Sequence, residues 1–126
     1  MMKIKSFITD GILFDNGTTL KHYHYQDCCE NVYADWEYLK NYNILPSTGK
    51  SISIYDVEFS ENIVNNIEFE ESMGIKLISK TGDKWFIPCY NEQNGYYSSD
   101  LELIIYAKGK PTIKIDITNY VEDRIY

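Results

Sequence analysis

Brief runs of alternating apolar and polar residues, each soon stopped by a turn built on glycine or asparagine, constrain this chain more than any other feature. Asp10-Gly11, Asp15-Asn16-Gly17, Thr81-Gly82-Asp83 and Lys108-Gly109-Lys110-Pro111 are such turns. Asn16-Gly17 is the strongest of them, because a type I′ hairpin turn needs φ > 0 at both central positions. Between the turns the side chains alternate with the two-residue period of a strand. Leu20, His22 and His24 fall on one face, with Lys21, Tyr23 and Tyr25 on the other, and Ile113, Ile115 and Ile117 alternate with Lys114 and Asp116. Strands are therefore expected over 1–9, 12–14, 18–25, 52–59, 64–70, 75–79, 84–90, 96–106 and 113–117, with 118–126 a short helix or a last strand. Asn65-Asn66 weakens the 64–70 run, and Pro88, which cannot donate to a ladder, predicts an edge or a bulge near the end of 84–90.

Only one stretch reads as a helix. Cys29, Val32, Trp36 and Leu39 recur at three- and four-residue steps, which predicts a helix over 27–42. Asp27 followed by Glu30 has the form of a capping box, and Asn43 and Pro46 end the pattern. The whole is expected to be a single domain, 1–126, of the mainly β class: a Greek-key β-sandwich of about eight strands decorated with one α-helix.

At 126 residues the chain can bury roughly two-thirds of the surface it exposes when unfolded, so it needs no disulfide. Its cysteines, Cys28, Cys29 and Cys89, are odd in number, and adjacent Cys28 and Cys29 do not readily pair with each other. With neither a signal peptide nor a long apolar run, a cytoplasmic location is expected and no membrane partner. A net charge of −7 with one arginine, Arg124, argues against a long nucleic acid as partner. A small enclosed anion remains compatible, held by backbone N–H groups and a local cation. The twelve tyrosines suit strands, interfaces or stacking pockets alike.

His22, His24, Asp27, Cys28, Cys29 and Glu30 are all metal-ligating types within a short span. The expected helix cap uses Asp27 and Glu30, and Cys28 and Cys29 diverge by about 100° on a helix, so no tetrahedral set forms and no metal is expected. Cys28 with His22 or His24 as base is the enzyme reading, but nothing supplies an oxyanion hole or a third orienting group. Gly49-Lys50-Ser51 lacks the glycine a phosphate loop requires five residues earlier, where Ile44 stands. No catalytic residue and no cofactor are assigned.

The segment Asn91-Glu92-Gln93-Asn94-Gly95-Tyr96-Tyr97-Ser98-Ser99 joins two aromatic strands. Its residues suit a ligand-reading loop, and they equally suit a long hairpin whose tyrosines fill the core. Together with Tyr23-His24-Tyr25-Gln26-Asp27-Cys28-Cys29-Glu30-Asn31-Val32, its Asn94-Gly95-Tyr96-Tyr97-Ser98 core resembles a group of short phage and prophage proteins that includes the first-described anti-Thoeris sponges. The resemblance covers the first third of the chain and the segment 85–105. It implies a decorated Greek-key sandwich that sequesters the cyclic ADP-ribose signals of bacterial TIR-domain enzymes without degrading them. It also implies homo-oligomers, dimers or hexamers, and, for some members, cyclic oligonucleotide binding at a separate site. On the matching segment, adenine is expected to stack on Trp85, Phe86, Tyr96 or Tyr97, and Asn91 and Asn94 to read ribose hydroxyls. The pyrophosphate falls to Arg124, Lys84 and backbone N–H groups near Gly95. The competing readings are a protein-binding inhibitor or structural phage protein using a tyrosine-rich interface, and a metal- or cysteine-dependent hydrolase.

Overall fold

The computed structural model describes residues 1–25, 31–93 and 100–125. The first three strands form an antiparallel meander: β1 (Ile4–Ile8), β2 (Gly11–Phe14) and β3 (Thr19–Tyr23). The chain then builds a second sheet from β4 (Asn31–Ala34), β5 (Ile67–Glu70), β6 (Gly74–Ile78) and β7 (Lys84–Gln93), with the short helix α1 (Trp36–Lys40) after β4. It returns to the first sheet as β8 (Glu102–Tyr106), beside β3, and β9 (Ile113–Asp116), and ends in the second as β10 (Glu122–Ile125). The sheet orders are β1-β2-β3-β8-β9 and β10-β7-β6-β5, with β4 also on β7. Mainly β with one helix, the fold is of the expected class, and it has ten strands among the described residues.

β7 is the pivot of the second sheet. Cys89 N–H donates to Met73 while the Pro88 carbonyl accepts from Asp35 N–H, so the two edges of β7 are engaged by different neighbours. β6 lines one edge over Lys84–Pro88, and β10 continues along it, in parallel, at Tyr90–Gln93. β4 takes the opposite edge at Cys89–Glu92. Along β7, Trp85, Ile87 and Cys89 are wholly buried and Asn91 nearly so, and they meet Ile12, Phe14, Leu20 and Leu103 from the first sheet in one core. Phe86, Tyr90 and Glu92 alternate to the outer face, as a period of two requires.

Several expected elements come out differently. Over 31–34 the chain is strand rather than helix, and α1 starts only at Trp36, with Asp35 as its N-cap accepting from Tyr38 N–H at 3.2 Å. Val32, Trp36 and Leu39 are all buried as the helical period predicts, but Val32 reaches the core by strand alternation with Ala34. The capping box at Asp27 and Glu30 lies outside the described residues. The 52–59 run is a 3₁₀ turn at Ile54–Asp56 followed by a single bridge from Phe59 to Met2, and a second 3₁₀ turn at Ile63–Asn66 precedes β5. The tail is both a 3₁₀ turn, Thr118–Tyr120, and a strand. Pro88 sits in an interior strand, tolerated because its nitrogen faces the side where β4 has just given way to the helix cap. No helix among the described residues is long and apolar enough to cross a membrane.

Candidate functional site

The described residues that bracket the two sequence stretches singled out above lie beside one another. Asn31, the first described residue after 26–30, pairs with Glu92, just ahead of 94–99. At their other ends Tyr23 pairs with Glu102, and the His24 ring nitrogen Nδ1 contacts the Asp100 carbonyl. The described residues bracketing one stretch are therefore partnered with those bracketing the other, in the first sheet at Tyr23 and Glu102 and in the second at Asn31 and Glu92.

On the outer face of β4, β7 and β10 lies an aromatic and charged cluster. Tyr33 and Tyr90 face each other across the β4–β7 ladder with ring centroids 5.7 Å apart. The Arg124 guanidinium covers the Tyr90 ring at 3.8 Å from its centroid. Arg124 also lies 3.4 Å from Glu92 and 3.8 Å from Glu122, and the Tyr33 hydroxyl donates to Glu92 at 3.0 Å. Burial, reinforced by that hydrogen bond and the Glu92 charge, pushes the Tyr33 phenol up to about 12, so it acts as a neutral donor. The cluster offers a π surface of the kind that accepts a base or another flat cation-loving ring. Its one guanidinium already faces two carboxylates, so an anion would have to compete for it.

Along β4, beside β3, a cleft of about 570 Å³ is lined by Asp10, His22, Asn31, Asp35, Trp36 and Glu37 among others. Its size falls within the roughly 300–1,000 Å³ of small-molecule sites. Among the described residues, no lysine or arginine lines it. His22 is firmly held there, with its side chain 9 % exposed. Its Nδ1 accepts from the Trp36 indole N–H at 2.9 Å and from Ala34 N–H at 3.3 Å. A nitrogen that accepts two N–H groups must carry its lone pair, so the ring is neutral with its proton on Nε2, 3.6 Å from Asp10. Desolvation holds the His22 pKa below its ordinary value, against the opposing pull of Asp10 and with a further push from His24.

The expected binding residues are spread over different environments. Trp85 is wholly buried, edge-on to Tyr42 at 6.1 Å, so it fills the core and presents no face to a surface ligand; its indole N–H has no protein partner. Phe86 is on the outer face, edge-on to the exposed Tyr38 and away from β4. Asn91 is 3 % exposed and donates to Asp123 at 2.9 Å, which ties β7 to β10. Lys84 is paired with Glu68 at 2.9 Å, and Arg124 belongs to the Tyr90 cluster. Asn94, Gly95, Tyr96 and Tyr97 lie outside the described residues. Sequence reasoning missed Tyr33, Tyr90 and Glu92. The signal was the alternation Asn31-Val32-Tyr33-Ala34, which the helical spacing of Val32, Trp36 and Leu39 concealed. Cys89, the described cysteine, is sealed in the core, where desolvation pushes its thiol up to about 12 and leaves it inert.

A family model described as a domain of unknown function (DUF7448) matches residues 3–103. No curated protein and no solved structure matches the chain.

Proposed function

This chain is a member of the DUF7448 family, and we propose that it is a sponge: it binds and holds a cyclic ADP-ribose-type signal and releases it unchanged. The observation that carries this reading is that the stretches resembling the anti-Thoeris sponges are bracketed by described residues that pair with one another. A ligand read by both stretches at once would have to sit beside those pairs. Tyr33, beside the guanidinium-covered Tyr90, supplies a ring face for the adenine, and Arg124 is the cation at hand for the pyrophosphate. The phosphate displaces Glu92 and Glu122 from the guanidinium as it binds. Asn94 to Tyr97 complete the contact in this reading. Holding rather than turning over its ligand, the protein supplies affinity and no catalytic group.

A thermal-shift screen against cyclic ADP-ribose isomers and cyclic oligonucleotides tests it, since any ligand that binds only the folded state raises the melting temperature. Stabilisation by a cyclic ADP-ribose isomer, lost in Arg124→Ala and increased in Glu92→Gln, is the expected result. No shift with any isomer would remove the reading.

A second reading, a protein-binding inhibitor, has its own observation. Tyr23 and Tyr106, each about half exposed, stand on the outer face of the first sheet on adjoining strands. Capture of a host protein that Tyr23→Ser and Tyr106→Ser abolish, with no nucleotide shift, is the outcome that favours it.

A further inference from the structure

We propose that β9 is a self-pairing edge: two copies of this chain join their first sheets through antiparallel β9 strands about a two-fold axis at Ile115. The hydrogen-bond parity comes first. Ile117 N–H donates to the Leu101 carbonyl, so in this ladder residues 117, 115 and 113 turn their backbone groups towards β8. Lys114 and Asp116 therefore point their N–H and C=O groups away from the sheet, at an edge no other described strand covers. In an antiparallel pair centred on Ile115, Lys114 of one copy lies opposite Asp116 of the other, and these are the residues with outward backbone groups. Each such pair exchanges two N–H···O bonds, and the two-fold axis makes the exchange occur twice.

Side-chain chemistry agrees with the same register. Lys114 and Asp116 are both exposed and project to the outer face, so the pairing sets an ammonium against a carboxylate twice over. Within one chain Asp116 stands opposite Glu102, a like-charge neighbour, and the incoming Lys114 offsets that repulsion. On the inner face Ile115, half-buried, meets its own copy at the close spacing of a non-hydrogen-bonded pair, and Ile113, 37 % exposed, is brought opposite Ile117. β5, an edge of the second sheet, fails the same test. Pairing it with itself about Phe69 sets Glu68 against Glu70. The inference does not depend on any ligand, so it stands or falls apart from the sponge reading.

Sedimentation velocity of the full chain over a concentration series tests it. The wild type is expected to dimerise, with the affinity falling as salt rises. Lys114→Glu turns two attractions into two repulsions and is expected to weaken the dimer about ten-fold or more. Lys114→Pro removes the outward N–H without touching the β8 ladder and should leave a monomer that melts like the diluted wild type. Lys114→Glu mixed with Asp116→Lys should form a heterodimer, because both contacts become attractive again. Should Asp116→Lys fail to fold through loss of its bonds to Thr118, the Lys114→Glu and Lys114→Pro results decide alone. A wild type that stays monomeric, or an oligomer of any size that both Lys114 variants leave unchanged, overturns the proposal.

Discussion

His22 makes stability depend on pH in a window where no other described shift operates. It joins β3 of the first sheet to Ala34 of the second and to Trp36 of α1, through an Nδ1 that accepts two N–H groups. Protonation at Nδ1 turns that acceptor into a donor facing two donors, and both bonds are lost. The folded pKa lies below the ordinary 6.5 because burial disfavours the charged ring, so between the two values the unfolded chain binds more protons than the folded one. The His22 contribution to stability is thus fully present above pH 6.5 and is lost as pH falls through the folded pKa. One proton limits the slope to about 1.4 kcal/mol per pH unit. Urea unfolding at a series of pH values from neutral down to about 5 reads it directly, above the range in which carboxylates titrate. His22→Gln, which keeps an acceptor but cannot titrate, should flatten the curve. His22→Phe should also strand the Trp36 and Ala34 N–H groups, at a cost of about 2–4 kcal/mol at neutral pH. Equal slopes in wild type and His22→Gln would refute the tautomer and the argument built on it.

The remaining predictions concern fixed points of the fold and the candidate site. Asp83, 6 % exposed, accepts from Ser47 N–H at 2.9 Å and from the Thr81 hydroxyl at 2.6 Å; Asp83→Ala should cost about 2 kcal/mol by urea unfolding. Those two bonds hold the Asp83 carboxyl below its ordinary pKa, so their stabilisation is present at neutral pH and is lost as acid protonates the group. Gly74 has φ +154°, and a Cβ there would stand 2.3 Å from the Ile87 carbonyl oxygen in β7, so Gly74→Ala should cost about 3 kcal/mol or more. Arg124→Ala should lower the melting temperature of the free protein only slightly, because its ion pairs and its contact with the Tyr90 ring are partly exposed, while abolishing the ligand-induced shift.

Where the period of two was undisturbed, the strands were legible: β3 and β9 lie where the alternation places them, and β2 and β6 lie beside the turns at Asp10-Gly11, Asp15-Asn16-Gly17 and Thr81-Gly82-Asp83. The 27–42 stretch misled because Val32, Trp36 and Leu39 satisfy a helical period, although a strand and a separate helix each contribute part of it. Burial alone cannot tell the two apart over so few residues. Pro88 was read as an edge signal on local grounds, and only the long-range partners of β7 show why the proline fits an interior strand. In the candidate site, Arg124 and Asn91 were legible as chemistry but not as contacts. Asn91 ties β7 to β10, a parallel pairing between residues more than thirty apart that no local pattern signals. Trp85 shows the converse, since its inward position follows from the alternation Trp85, Ile87, Cys89, which a stacking role would have broken.

The central claim is that the protein keeps its ligand intact. Incubating it with a cyclic ADP-ribose isomer, removing free ligand by gel filtration, heat-denaturing the complex and analysing the supernatant by mass spectrometry addresses this directly. The intact cyclic molecule is expected to be recovered in proportion to the protein, and none from Arg124→Ala. A linear or cleaved product, or no ligand carried through the column, would contradict it.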